Sequence, residues 1–396
     1  MRPEFQDIVD EASRLLDRPA TLEDREFNLV AFCSHEPEVD EVRLLSILQR
    51  HSSRQVQDWF EDFGIATTDA PVRTPSSPEL GVLSRLCLPA RWRGVTYGYL
   101  WLVDEHADVD QTLLPAATAL AGRAGALMAQ QARAREQLGL KLQDLLSTDP
   151  EAVDQAADDI HELGIIERQV PVAVVELRTP PAGTTQAVPM NLWRLPRWVL
   201  AASTAERTTL LVPVGAADRD ADLATVRDVA RQAWELYAER LGPDDRTGLV
   251  AGIGGLRPDL ALARASWQEA RLAVRVGQVV PALRPIAVWP ELGVYRLLAC
   301  GPERALASAV LGPAVLALIE HGDAELRRTA QSYLDAGGNV QATAAALNVH
   351  RQTVYYRVQK VEQVTGLDLS DGEDRLALHL GLTLAPVLHP APERSR

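Results

Sequence analysis

Residues 333–382 read YLDAGGNVQATAAALNVHRQTVYYRVQKVEQVTGLDLSDGEDRLALHLGL. Glu325–Ala336 has the pattern of a helix, ended by Gly337-Gly338. Asn339 follows where an N-cap belongs, so Val340–Leu347 (VQATAAAL) is the next helix. Its small residues Ala344, Ala345 and Ala346 allow another helix to pack closely. Asn348-Val349 makes a turn that needs left-handed backbone, which Asn tolerates better than other non-glycine residues. A longer helix starts at His350 and runs to Thr365, stopped by Gly366. Two helices joined by such a short turn are a helix-turn-helix, and the second is its recognition helix.

At 100° per residue, Val354, Val358, Val361 and Thr365 fall on the face turned to the core. Gln352, Thr353, Tyr356 and Lys360 lie opposite, Arg351 sits in the first turn, and Arg357 lies on the flank. Arg351, Arg357 and Lys360 face only Glu362 in charge, which leaves this helix about +2. An Arg can bond bidentately to guanine and a Gln to adenine in the major groove, which makes Arg351 and Gln352 candidate base readers. Thr353, Tyr356, Arg357 and Lys360 can reach phosphates, and Asn339 and Gln341 can present another phosphate contact at a helix start. The expected partner is double-stranded DNA.

Outward from this segment the chain is acidic. Its 396 residues carry 40 Lys+Arg against 54 Asp+Glu, a net charge of −14. Broad, non-specific nucleic-acid binding is thereby disfavoured, and DNA binding must rest on a local basic surface such as this helix. The N-terminus MRPEFQDIVDEA has no apolar leader, and no run reaches the roughly 18 apolar residues of a membrane span, so a cytoplasmic protein is expected. Cys33, Cys87 and Cys300 stand too far apart for a metal site and read as small buried residues. The histidines are scattered, and there is no phosphate loop and no framed nucleophile. No catalytic residue, metal or cofactor is expected.

Residues 1–110 read as a small α/β sensor: a strand at Phe27–Cys33, helices at Val39–His51 and Arg54–Phe63, and a loop over residues 66–81. An antiparallel hairpin of Ser84–Arg91 and Val95–Val103 follows. Residues 111–160 form a connecting helical segment. Over Asp110–Ser147 the positions Leu113, Ala117, Leu120, Ala124, Leu127, Gln131, Ala134, Leu138, Lys141 and Leu145 keep heptad spacing. This helix either caps its own domain or pairs in a parallel dimer. Residues 161–300 alternate strands (170–177, 198–202, 209–214, 249–253, 286–289) with helices (221–241, 259–276), an α/β domain with a mixed sheet. Trp193 and Trp198 can line a pocket there or simply pack. Residues 301–322 read as a linker, 323–389 as the helix-turn-helix bundle, and HPAPERSR as a tail.

The stretch Tyr333–Leu382 closely resembles the C-terminal domain of the PucR/CdaR family, regulators named for purine catabolism and sugar-diacid use. It is also similar to the Fis-type helix-turn-helix. Carried over by position, the resemblance implies Asn339, His350, Arg351, Thr353, Tyr356 and Arg357 as DNA contacts, and a final helix, Asp374–Leu388, packed on the unit. Gly248–Gly277 (GLVAGIGGLRPDLALARASWQEARLAVRVG) with Glu291–Ala299 resembles that family's degenerate GGDEF-like domain, while the N-terminal order resembles GAF and PAS sensors. The resemblance implies a multidomain protein: an α/β sensor, an α/β GGDEF-like domain and an all-α bundle. It further implies a homodimer with a possible small-molecule effector. A nucleotidyl cyclase would need carboxylates in the hairpin Ala202–Val214 (ASTAERTTLLVPV) to hold metal, and Glu206 is the only one. A helix-turn-helix turned into a protein-docking surface is the other alternative.

Overall fold

The computed structural model describes residues 3–33, 42, 47, 52–178, 195, 196, 198–204, 207–215, 223–238, 241, 246 and 248–389. They fall into two units: residues 1–142 with 191–202, and residues 143–190 with 203–396.

The first unit contains α1 (Pro3–Leu16), β1 (Ala20–Asp24), β2 (Leu29–Phe32), α2 (Arg54–Glu61), β3 (Val72–Thr74), β4 (Arg85–Trp92), β5 (Val95–Val103) and α3 (Leu114–Leu145). The sheet order is β2-β1-β5-β4-β3. At the β4–β5 turn both Arg93 and Gly94 take positive φ (50° and 83°), the geometry that matches the twist of a two-residue hairpin. Side chains alternate across a strand, so each face has its own character. Leu22, Leu86, Leu88, Leu100 and Leu102 pack with Phe5 and Ile8 of α1 and with Leu120, Ala124 and Met128 of α3. Cys87, Tyr99 and Trp101 face the other way, into an aromatic cluster with Phe27 and Phe60.

Three elements of this unit were not read from the sequence: α1, β1 and β3. β1 is ATLED, too polar to read as a core strand, yet all five residues are buried. β3 falls inside the expected loop 66–81. The expected helix Val39–His51 lies, apart from Val42 and Ile47, outside the described residues. Leu113, just ahead of α3, and Ala117, Leu120, Ala124 and Leu127 within it belong to the core of their own sheet. That half of the heptad stripe caps its own domain.

From residue 150 onward the chain forms α4 (Pro150–Glu162), β6 (Val172–Arg178), β7 (Leu200–Ser203), β8 (Arg207–Pro213), α5 (Ala224–Ala238), β9 (Val250–Ile253), α6 (Ala263–Val279) and β10 (Ile286–Val288). The sheet is mixed as expected, in the order β10-β9-β6-β8-β7. β10 runs parallel to β9, and β6 is antiparallel to both β9 and β8. α6 lies directly on β9 at two glycines. A Cβ on Gly254 would collide with the Ser266 carbonyl, and one on Gly252 with the Ala270 carbonyl. The same close approach lets the Ser266 hydroxyl accept the Val174 N–H at 2.9 Å. Trp193 lies outside the described residues, and Trp198 is partly exposed.

The remaining helices are α7 (Glu303–Val310), α8 (Pro313–His321), α9 (Ala324–Asp335), α10 (Val340–Leu347), α11 (Arg351–Thr365) and α12 (Gly372–Leu388). The segment 301–322, expected as a linker, is therefore α7 and α8. Val315 and Leu318 of α8 are buried in the same cluster as Leu326, Val361 and Leu378. Gly312-Pro313 at its start and Gly322 at its end are ordinary helix punctuation, visible in the sequence but weak beside the Gly-Gly-Asn that follows. The cluster also takes in Ala273 and Val276 of α6 and Trp289, so the mixed-sheet half and the helical half share one core. Cys33 and Cys87 are buried as expected, but Cys300 is exposed. Among the described residues no single helix is long and apolar enough to cross a membrane.

Candidate nucleic-acid interface

Local capping chemistry builds the unit. The Asn339 side chain accepts from the N–H groups of Gln341 (2.9 Å) and Ala342 (3.1 Å), satisfying two donors at the start of α10. α10 ends at Asn348, whose φ of 55° and ψ of 47° are left-handed, as the turn requires. The His350 ring Nδ1 then accepts from the Gln352 N–H at 3.3 Å and caps α11. Gly366, at φ 73°, closes it. In α10 the buried residue is Thr343, whose hydroxyl donates to the Asn339 carbonyl at 2.7 Å. Ala345 and Ala346 are exposed, so the expected close packing does not run through them.

Val354 and Val361 are fully buried and Val358 is partly so, which fixes the rotation of α11. Arg351, Gln352, Tyr356 and Lys360 are exposed on the outer side, as the helical wheel implies, and Thr353 is half-buried. Tyr355 and Gln359 share that exposed side and were not singled out in the sequence. Tyr355 is 55% exposed and Tyr356 66%; two adjacent exposed tyrosines on a short helix form an amphipathic surface awaiting a partner. The signal for Tyr355 was its position about 100° round the helix from Val354.

Three expected contacts have other duties. Asn339 and His350 spend side-chain acceptors on caps. Arg357 is turned inward: its Nη2 pairs with the Glu325 carboxylate and its Nη1 donates to the Thr329 hydroxyl at 3.3 Å. With 21% of its side chain exposed, Arg357 is a strut between α11 and α9 rather than a free cation. The sequence reading expects a phosphate contact at Arg357, and in this fold its guanidinium is engaged with α9. Arg357→Ala is expected to lower the thermal midpoint of this half by a few degrees while reducing DNA affinity less than Lys360→Ala does. A larger affinity loss at Arg357 than at Lys360, with the midpoint unmoved, would restore the phosphate assignment.

A buried valine seam, capped ends and an exposed polar face define α10 and α11 as the helix-turn-helix of a DNA-binding regulator. Comparison with known proteins agrees. Residues 326–384 match the model of the PucR C-terminal helix-turn-helix domain, and residues 148–276 match that of the GGDEF-like domain. The chain is 21% identical over 398 residues to the DNA-binding transcriptional activator AdeR of Bacillus subtilis (strain 168), covering 96% of this chain and 92% of AdeR. It is 21% identical to the proline-responsive transcriptional activator PutR of the same organism, covering 95% of each. It is 26% identical to the carbohydrate diacid regulator of Escherichia coli (strain K12), over 77% of this chain and 80% of that one. These matches make the chain a DNA-binding transcriptional regulator of the PucR/CdaR type.

Proposed function

We propose that the chain is a cytoplasmic, effector- or partner-responsive homodimer that controls a metabolic operon, with α11 lying in the major groove of its operator. The observation that carries this reading is the exposed face of α11 opposite the buried Val354–Val361 seam. Arg351 meets guanine and Gln352 adenine; Thr353, Tyr356 and Lys360 hold phosphates, as does the start of α10 at Gln341. Two copies place their recognition helices about one turn of DNA apart, or a multiple of it. PutR is named proline-responsive, which favours an effector for this chain also. The GGDEF-like domain serves as scaffold and effector domain rather than as an enzyme. Metal-dependent cyclisation needs paired carboxylates, and among the described residues the other ionisable side chains that line a cleft with Glu176 of β6 are arginines.

Arg351→Ala is expected to weaken operator binding by about 1–3 kcal/mol, roughly 5- to 150-fold, and to relax preference at one base pair. Equal loss on all sequences would reassign Arg351 to a phosphate. The reading as a whole is tested by fluorescence anisotropy of the full chain on its own upstream intergenic DNA and on scrambled DNA, at several salt concentrations. Tighter binding to its own DNA, falling steeply with salt, is expected. A flat salt response with no sequence preference would make the helix pair a protein-docking surface.

A further inference from the structure

A second site lies away from the recognition helix. A cleft of about 440 Å³ opens between the ends of β6 and β8 and one side of α6. Its volume is in the range of sites that enclose one small molecule. Among the described residues, Arg178, Arg207, Arg271 and Arg275 line it together with one carboxylic residue, Glu176. This concentration of positive charge sits in a chain of net charge −14.

The arginines are placed against the interests of folding. Arg178 and Arg207 are direct cross-strand partners in the β6–β8 register. Like charges directly opposite one another destabilise a sheet. Arg271 and Arg275 stand four residues apart on α6, where like charges destabilise a helix. Glu176 offers little to offset them. It is buried, and its oxygens accept from the Thr209 hydroxyl at 2.6 Å and the Trp267 indole N–H at 3.2 Å. Burial pushes its carboxyl above the usual carboxylate range, against the pull of those donors and of Arg207 and Arg271. Arg271 is stacked 4.8 Å from the centre of the Trp267 ring, which holds its guanidinium in place without neutralising it. Among the described residues, Arg275 is the cleft arginine that forms an ion pair: both its terminal nitrogens reach Glu303 at 2.6 Å, and Nη2 also donates to the Val387 carbonyl at 2.6 Å.

We propose that this cleft binds a small polyanion carrying at least two phosphate or carboxylate groups, held by Arg178, Arg207 and Arg271. The proposal gives the effector of the regulator described above a place and a charge class, and in that sense rests on that reading. Arg275 connects the cleft to the helical half. An anion that draws its guanidinium competes with Glu303 of α7 and with the end of α12, the helices packed behind the DNA-binding unit.

The test is isothermal titration calorimetry of the full chain, without DNA, against pyrophosphate and against citrate. Saturable binding of at least one of them is expected, weakened about tenfold or more by Arg207→Ala and by Arg271→Ala. Arg231→Ala, on α5 outside the cleft, leaves it unchanged. Because Arg207→Ala relieves a like-charge pair, it is not expected to lower the thermal midpoint, which separates a binding role from a structural one. Binding of pyrophosphate alone assigns a phosphate-bearing ligand, and of citrate alone a polycarboxylate. No saturable heat with either probe, or binding indifferent to Arg207→Ala, overturns the site. Such a result leaves DNA recognition standing. Conversely, failure of the anisotropy experiment would remove the regulator reading without touching the calorimetry.

Discussion

Leu318→Ala is expected to destabilise the C-terminal half by about 2–5 kcal/mol, although the segment that holds this residue reads as a linker. Leu318 is fully buried, and α8 packs along α11. Removing its side chain leaves a cavity behind the recognition helix, in a core that also contains Val361 and Leu378. The cost has two parts, the lost burial of the deleted methyl groups and the void that neighbours fill incompletely. Denaturant unfolding of the full chain reads the first effect. Anisotropy on operator DNA, at a temperature where the variant is still folded, reads the second: α11 held less firmly pays more ordering entropy on binding. A midpoint indistinguishable from the parent would mean that α8 is a dispensable connection.

Glu23→Gln is expected to flatten the pH dependence of the first unit's stability. Glu23 is buried on β1, where its carboxyl is pushed from an ordinary 4.5 up to about 7. Burial is the main cause, opposed by the Arg85 charge and by the Ser52 and Trp101 donors. Ser52 Oγ lies 3.3 Å from Oε1. The unfolded chain releases this proton near 4.5 and the folded chain only near 7. Below the lower value both states hold it, and the fold keeps its full stability. As pH rises between the two, the unfolded state binds fewer protons, so stability falls, by about 3 kcal/mol in total, and then levels off. Glutamine cannot ionise, so calorimetric unfolding from about pH 5 to about pH 8 should show the parent losing this increment and the variant keeping it. Parallel curves for the two would show that Glu23 is ionised in the fold at all these pH values.

What the sequence revealed was what short-range chemistry decides. Asn339, Asn348 and Gly366 act within a few residues of themselves, and each cap or turn was legible from residue type and spacing; the His350 cap, equally local, was read as the first turn of the helix. The β4–β5 hairpin was legible for the same reason, through its turn and two alternating strands. Hidden were the features set by distant partners. β1 is a core strand because β2 and β5 flank it, not because ATLED has strand character. Arg357 looked like a DNA contact because its partner Glu325 lies 32 residues away on another helix. The arginine cleft has no local signature either, since its members come from two strands and a helix far apart in the chain.

The core shared by α6, Trp289 and the helices of the C-terminal half bears on how such regulators can be recombined. A fragment begun at residue 323 would carry every residue of the helix-turn-helix yet lack Val315, Leu318, Ala273 and Val276, which share one buried cluster with Leu326, Leu378 and Leu384 in the whole chain. DNA-reading specificity is therefore not a detachable cartridge here. A chimaera that exchanges operators should be joined ahead of α4, carrying the GGDEF-like half along with the helices it supports.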